Sequence, residues 1–203
     1  MNHPLLLLLM TAIGLYLGKL WRDDRRTARD GAGHPGALPG ATEAPRRAVL
    51  LAVAGALVIL VLETVGERVL GLAAQQSRMT WLFALYSVTG APIIEEIIFR
   101  GWIVLDGRRR MIAWAGAAGA SAVFAILHPF LWRWDDAGFE LTLTPKGWFS
   151  TTAVLATSLW LYAARLAAWN PQGSLLPCFA AHAARNAGVV AVKTIEGFMG
   201  GVW

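Results

Sequence analysis

The chain has 203 residues, of which 56% are hydrophobic and 15% are charged. A soluble domain usually carries about 25% charged residues, so this composition excludes an ordinary soluble domain and predicts a polytopic membrane protein with one membrane domain. The net charge of +5 does not indicate nucleic-acid binding, because the basic residues cluster in short loops between apolar runs. The single cysteine, Cys178, excludes an internal disulfide and a multi-cysteine metal site.

Six apolar runs are long enough to be membrane-spanning helices, for which about 20 residues suffice. They cover residues 4–21, 48–65, 79–105, 111–131, 148–169 and 175–193. Most of the ten tryptophans fall near the ends of these runs, which is typical of an interfacial aromatic belt. The sequence therefore predicts an all-α polytopic transmembrane helical bundle of about six spans.

The connections between the runs give an orientation in the membrane. Residues 22–47 are rich in Arg, Asp, Gly and Pro, which predicts a flexible polar loop, and residues 132–147 form a second substantial loop. Residues 22–47 and 106–110 would lie on one side of the membrane and together carry nine arginines. The excess of basic residues in cytoplasmic loops places this side in the cytoplasm.

The third apolar run contains two adjacent carboxylates and an arginine, Glu95, Glu96 and Arg100. A charge at the centre of a membrane helix costs about 2.5–3.5 kcal/mol on insertion scales, so these residues mark a functional site. Glu96 and Arg100 are four residues apart on one helix face and are expected to pair, whereas Glu95 points elsewhere and stays free. Pro92 predicts a kink or a new helix start, which places Glu95 near a helix N-terminus.

Two further polar clusters lie at membrane depth. His128 follows the apolar part of the fourth run, and His182 and Asn186 share one face of the sixth helix because they are four residues apart. We expect the third and fourth spans to form an antiparallel hairpin around the basic turn between them. This hairpin brings His128 towards Glu95.

Together these side chains suit the hydrolysis of an amide bond. A carboxylate beside an imidazole can bind and deprotonate a water molecule. A second imidazole and an amide can donate hydrogen bonds to the oxyanion that forms when water attacks a peptide carbonyl. Ser121 and Ser174 lie in no G-x-S-x-G context, so the pattern predicts general-base hydrolysis without an acyl-enzyme intermediate.

Each cluster also has a purely structural interpretation. His128 can be a packing residue, the Glu96–Arg100 pair can be structural, and a His–Asn pair can hydrogen-bond between helices. All three clusters together, with no function, would carry a large insertion cost. Two other charged residues have similar alternatives. Glu63 is expected at a helix end near the interface, or else as a third carboxylate of the site. Arg185 is expected to pair with a carboxylate or with backbone carbonyls, or else to contact substrate.

Three motifs occur in order on separate spans: Glu95-Glu96-x-x-x-Arg100, Phe124-x-x-x-His128 and His182-x-x-x-Asn186. This pattern resembles that of the CAAX-protease and bacteriocin-processing membrane proteins, which are intramembrane glutamic endopeptidases similar to the Ras-converting endopeptidase of the endoplasmic reticulum. The resemblance leaves out residues 1–79, with two spans and a basic loop. It implies a four-span catalytic core over residues 80–193.

The resemblance also implies a role for each motif residue. Glu95 would be the general base for water, and His128 would help to hold that water. His182 and Asn186 would stabilise the oxyanion, while the paired carboxylate and arginine of the first motif would shape the site. It implies no cofactor and no metal, a membrane-associated protein or peptide as substrate, and a multi-pass integral protein in the lipid bilayer of a bacterial inner (plasma) membrane.

Three alternatives remain open at the level of sequence. A zinc-dependent membrane protease would use Glu95, His128 and His182 as ligands, although the chain lacks an H-E-x-x-H helix. A non-catalytic membrane binding or immunity protein would keep the family scaffold without its chemistry. A small transporter would use the buried charges as a proton relay, but no inverted repeat is visible.

Overall fold

The computed structural model describes residues 3–104, 110–135 and 138–203, with the backbone alone at residue 110. The basic turn predicted at residues 106–110 therefore lies outside the described residues, apart from that backbone. In chain order the helices are α1 (Pro4–Arg29), α2 (Arg46–Val69), α3 (Trp81–Thr89), α4 (Ala91–Glu96), α5 (Arg110–Leu127), α6 (Pro145–Leu166) and α7 (Leu176–Ile195). A 3₁₀ turn, Ala73–Gln75, follows α2; a π-helical segment, Ile97–Trp102, continues α4; and β1 (Trp132–Asp135) pairs with β2 (Gly138–Leu141).

Each predicted span corresponds to helix. α1, α2 and the combined segment Trp81–Trp102 are long and apolar enough to cross a membrane by length and composition, and Met111–Leu127 is a shorter apolar helix. α6 and α7, with 22 and 20 residues, occupy the predicted fifth and sixth spans. The predicted all-α membrane bundle is confirmed.

Contacts between loops bring the helix ends together at two poles. At one pole, Gly40 lies between α1 and α2, and its carbonyl accepts from the backbone N–H of Leu175, just before α7, at 3.0 Å. Pro39 at this pole also lies against Gly101, at the end of the π-helical segment. This pole carries the arginine-rich segment 22–47, with the loop between α1 and α2.

The opposite pole joins the other helix ends. The ammonium of Lys146, at the start of α6, pairs with Glu67, near the end of α2. Lys193, near the end of α7, donates to the carbonyl of Ser77, just before α3, at 2.6 Å. Consecutive spans, with α3 and α4 counted as one, therefore run in opposite directions between the two poles.

Small residues set the closest helix contacts. A Cβ at Gly14 on α1 would lie 2.5 Å from the Cα of Gly90, between α3 and α4. The Trp160 indole on α6 donates to the carbonyl of Ala52 on α2 at 2.8 Å and lies directly against Gly55. α1 and α2 thus pack onto the later helices through positions where a larger side chain has no room.

The flexible loop predicted for residues 22–47 is wrong for residues 22–29, because α1 continues to Arg29. The charged residues themselves support the added turns, as in the Lys19–Asp23 pair at 3.2 Å one helical turn apart. The rest of the segment is tied to α1, since Arg25 pairs with Glu43 at 2.7 Å. The hydrogen bond to Arg25 lowers the pKa of the Glu43 carboxyl.

The loop predicted at residues 132–147 begins with a two-stranded hairpin. β1 and β2 are antiparallel, with Arg133 opposite Glu140 and joined to it by an ion pair of 2.5 Å. The Trp132 and Phe139 rings stack with centroids 6.1 Å apart. Aromatic cross-strand pairs of this kind stabilise hairpins, so this ring contact supports the pairing of β1 with β2.

Candidate active site

The two carboxylates lie on α4, a six-residue helix that starts just after a break in the span. α3 ends at Thr89 and Pro92 falls in the first turn of α4, where its missing N–H has no intrahelical partner to lose. The new helix start predicted at Pro92 is therefore confirmed. It sets the direction from which Glu95 and Glu96 project.

The backbone then widens into the π-helical segment that carries Arg100. Such wide turns alter the usual backbone bonding, and here side chains of α6 donate to the carbonyls. The Tyr162 hydroxyl donates to the carbonyl of Phe99 at 2.5 Å, and Arg165 Nε donates to that of Arg100 at 3.1 Å. α6 therefore stabilises the wide turn, a feature that the sequence did not predict.

Glu96 lies at the centre of the cluster. Its Oε1 accepts from Arg100 Nη1 at 3.2 Å, which confirms the predicted pair, and the same oxygen lies 2.8 Å from His182 Nδ1 on α7. Both Glu96 and Arg100 are fully buried, with 0% of each side chain exposed. Hydrogen bonds to its polar atoms stabilise a buried pair, and His182 supplies one, while Glu96 Oε2 and Arg100 Nε have no partner in the described part of the chain.

Arg100 extends the cluster to α5 and α6. Its Nη2 donates to Ser158 Oγ at 2.5 Å, and Ser158 Oγ donates to Ser121 Oγ at 2.9 Å. The guanidinium also lies over the rings of Phe124, at 4.6 Å, and Tyr162, at 5.0 Å. Ser121 is thus a buried hydrogen-bond acceptor in a supporting chain, consistent with the expectation that it is no nucleophile.

Glu95 is more exposed than Glu96, which is fully buried, and it is not the carboxylate that pairs with Arg100. Its side chain is 26% exposed, and its Oε2 lies 3.7 Å from His182 Nε2, which is beyond hydrogen-bond distance. Among the described residues, this oxygen is buried and has no hydrogen-bond partner. Arg100 pairs with Glu96 and neutralises its charge. Glu95 has no such arginine partner within the part of the chain that the structure describes.

The two ring nitrogens of His182 have different neighbours, and these determine what each nitrogen can do. Nδ1 faces the Glu96 carboxylate, and an ionised carboxylate only accepts, so the hydrogen is assigned to Nδ1. In the neutral ring, Nε2 then presents a lone pair towards Glu95. In the protonated ring, Nε2 presents a second N–H in that direction.

His128 joins the cluster through Phe124. Its Nδ1 lies 2.8 Å from the Phe124 carbonyl, which assigns a hydrogen to Nδ1 and leaves Nε2 as the acceptor in the neutral ring. The Phe124 ring lies between the two imidazoles, with centroids 4.7 Å from His128 and 6.5 Å from His182. The predicted approach of His128 to Glu95 is thus consistent with the fold, and α5 ends just before it, at Leu127.

Asn186 lies one helical turn beyond His182 and is held by α3. Its Nδ2 donates to the carbonyl of Ser87 at 2.7 Å. An amide nitrogen carries two hydrogens, so this bond uses one donor and orients the other. The sequence had no signal for Ser87, because the contact joins two helices 99 residues apart in the chain.

Arg185, between these two motif residues, pairs with a carboxylate outside the motifs. Its Nη2 lies 2.5 Å from Glu63 Oε2 on α2. This confirms the expectation that Arg185 pairs with a carboxylate, and it gives Glu63 a partner inside the bundle. The sequence offered both residues as isolated charges and no signal for their contact.

The arrangement of possible metal ligands bears on the zinc alternative. Over residues 3–104, 110–135 and 138–203, no group of three or more His, Cys, Asp or Glu side chains could hold a metal ion. Glu95, His128 and His182 are therefore not arranged as a ligand set in this structure.

Comparison with known proteins identifies the family. A family model described as Type II CAAX prenyl endopeptidase Rce1-like matches residues 77–188, more than half of the chain, and this range contains all three motifs. A search of curated proteins found no match, and a search of solved structures found none either. The chain therefore belongs to the Rce1-like family of type II CAAX prenyl endopeptidases, which are proteases, and its apolar helices make it an integral membrane protein.

Proposed function

We propose that this protein is an intramembrane glutamic endopeptidase that hydrolyses a peptide bond in a membrane-associated protein or peptide, in the inner membrane of a bacterium. Membership of the family supports the protease activity and the membrane-associated substrate. One observation carries the glutamic assignment: Glu95, with 26% of its side chain exposed, lies beside His182 with its Oε2 3.7 Å from Nε2, whereas Glu96 is fully buried. That separation is too long for a direct hydrogen bond, and a water molecule that contacts both groups would bridge it.

In the first step, Glu95 acts as general base. Its carboxylate takes a proton from a water molecule, and the water oxygen attacks the carbonyl carbon of the scissile peptide bond. His128 Nε2 helps to hold that water, since Nδ1 is occupied by the Phe124 carbonyl. The product of this step is a tetrahedral intermediate with a negative oxygen.

In the second step, the intermediate collapses. Protonated His182 and the second Nδ2 hydrogen of Asn186 donate to the oxyanion. Glu95 returns its proton to the leaving nitrogen, the C–N bond breaks, and the products are a carboxylic acid and an amine. Glu95 and Glu96 flank the His182 ring and stabilise its positive charge. Glu96, fixed by Arg100, orients that ring.

The experiment is a cleavage assay with the purified protein in detergent and a library of membrane-anchored peptides. Glu95→Gln removes the base and is expected to lower kcat by about 10²–10⁴-fold. His182→Ala removes a donor to the oxyanion and is expected to lower kcat by about 10²–10³-fold. Glu43→Gln, which neutralises a carboxylate in the loop near Arg25, is the matched control and should cleave like wild type.

Addition of a chelator separates the proposal from the zinc alternative. Cleavage that persists with chelator and is lost in Glu95→Gln supports the glutamic mechanism. Cleavage that chelator abolishes and zinc restores supports a metalloprotease instead. Full cleavage by Glu95→Gln contradicts the proposal. If wild type cleaves no peptide and Glu95→Gln is fully functional in cells, the protein is a non-catalytic scaffold.

A further inference from the structure

α2 lies outside the family-matched segment, yet it contacts α7 at the third motif. Glu63 on α2 and Arg185 on α7 form an ion pair of 2.5 Å, with only 16% and 9% of their side chains exposed. Neither residue belongs to a motif. Each member of a pair this well buried needs the other, because an unpaired buried charge costs several kcal/mol.

Arg185 is close to the site, although its charge is directed away from it. It follows His182 by three residues, so the two side chains are neighbours on the surface of α7. The Nε2 atom of His182 in turn lies 3.7 Å from Glu95 Oε2. Arg185 is therefore a neighbour of the ring that lies beside the proposed base.

Without Glu63, Arg185 would need another acceptor. Glu96 is fully buried, and its Oε1 already pairs with Arg100 and His182. Glu95 is 26% exposed, and its Oε2 has no hydrogen-bond partner in the described part of the chain. Glu95 is therefore the carboxylate most open to a released Arg185, and pairing between them would neutralise the general base.

We propose that Glu63 is a positioning residue: it holds the guanidinium of Arg185 against α2 and thereby keeps the Glu95 carboxylate free to act as base. This inference rests on the proposed function, in which Glu95 is the base. It also gives the N-terminal helices a part in catalysis, because the family-matched segment alone contains Arg185 but not Glu63.

The neighbouring carboxylate, Glu67, provides a matched control. It lies one helical turn beyond Glu63 on α2, is somewhat more buried, and pairs with Lys146 on α6 and with Gln76 at 2.7 Å. Glu67→Gln therefore also breaks a buried ion pair of α2, but the cation that it releases is Lys146 and not Arg185. Loss of stability alone would affect both variants alike.

Kinetics of four variants test the proposal: Glu63→Gln, Arg185→Gln, the double variant and Glu67→Gln, all assayed below their unfolding temperatures. We expect Glu63→Gln to lower kcat at least about tenfold, since an adjacent cation weakens a carboxylate base by one or more pKa units. Arg185→Gln, the double variant and Glu67→Gln should stay within about twofold of wild type. Equal losses in Glu63→Gln and Arg185→Gln would mean that the pair is merely structural and would overturn the proposal.

A second measurement needs no substrate. Carbodiimides react with protonated carboxyls, so an arginine-paired Glu95 should be labelled more slowly in isolated membranes, as read by mass spectrometry. We expect at least about tenfold slower labelling in Glu63→Gln, with recovery in the double variant. Cys178, fully buried, stays unreactive to maleimide while the protein is folded and so checks each sample.

The two measurements separate the two proposals. If labelling of Glu95 follows this pattern but Glu95→Gln cleaves like wild type, the positioning by Glu63 stands and the proposed function fails. If cleavage depends on Glu95 but Glu63→Gln is labelled at the wild-type rate, the function stands and the positioning fails. If Cys178 becomes reactive in Glu63→Gln, that variant is misfolded and Glu63→Asp is used in its place. The aspartate side chain is one methylene shorter, so its carboxylate is drawn away from Arg185. A wild-type labelling rate of Glu95 in Glu63→Asp also overturns the proposal.

Discussion

At the scale of single residues, the site depends on two adjacent carboxylates with different surroundings. Helical spacing predicted that Glu96 would pair with Arg100 and that Glu95 would not. It could not predict that His182 shares Glu96, because that contact joins residues 86 positions apart. Local periodicity fixes which side chains share a helix face, while contacts between helices depend on packing that one sequence does not display.

Glu96→Ala should unfold the protein more easily. It leaves Arg100 fully buried without its carboxylate, and loss of one partner from a buried pair costs about 3–5 kcal/mol. Chemical unfolding in detergent measures the change. Glu140→Ala, which breaks the exposed pair with Arg133, should change the free energy of unfolding by less than about 1 kcal/mol. Similar losses in the free energy of unfolding for the two variants would show that the buried pair of Glu96 and Arg100 contributes no more than an exposed one.

The two buried serines should differ in a defined order. Ser158→Ala removes a hydrogen bond to the charged Arg100 and should cost about 1.5–3 kcal/mol, whereas Ser121→Ala removes a neutral one and should cost about 0.5–1.5 kcal/mol. Unfolding measurements give both values. Ser121→Ala should also retain peptide cleavage; if the folded variant is inactive, a serine nucleophile has to be reconsidered.

At the scale of elements, proline was a good guide and irregular backbone was not. Pro92 correctly predicted a helix start. The π-helical segment was missed, because its wide turn depends on donors from α6 such as Tyr162. The added turns of α1 were missed because polar residues were taken as a loop, although they pair along a helix.

Gly14→Ala should disturb the contact between α1 and the start of α4. The added Cβ would lie 2.5 Å from the Cα of Gly90, which is backbone and cannot rotate away. We expect a loss of about 1–3 kcal/mol in thermal unfolding, together with reduced cleavage as α4 shifts. Gly119→Ala is the matched control on α5, where a Cβ meets nothing within 4 Å. It should be neutral or stabilising, because alanine favours helix over glycine.

At the scale of the whole molecule, the sequence correctly predicted the class of fold and the positions of the helices. Length and composition suffice for that, since a bilayer dictates how long an apolar helix must be. The sequence did not show that α2 packs on α7 and reaches the third motif. Glu63 and Arg185 are 122 residues apart, and only the folded bundle brings them together.

The two poles should lie on opposite sides of the membrane, with the arginine-rich loop in the cytoplasm. Gly36→Cys, in that loop, should react with a membrane-impermeant maleimide only after the cells are permeabilised. Leu143→Cys, exposed after the hairpin, should react in intact cells. The native Cys178 is buried and should stay silent in both. The reverse pattern would show that the bundle is inverted.

Arg100 connects four helices: it pairs with Glu96 of α4, donates to Ser158 of α6, lies over Phe124 of α5 and reaches α7 through the shared carboxylate. Glu95 does not pair with Arg100, and its Oε2 lies 3.7 Å from His182 Nε2, beyond hydrogen-bond distance. A genetic screen for inactive variants should therefore return two classes that differ in abundance. Substitutions at Arg100 should remove the protein from the membrane through quality control, while substitutions at Glu95 should leave it at normal levels but inert.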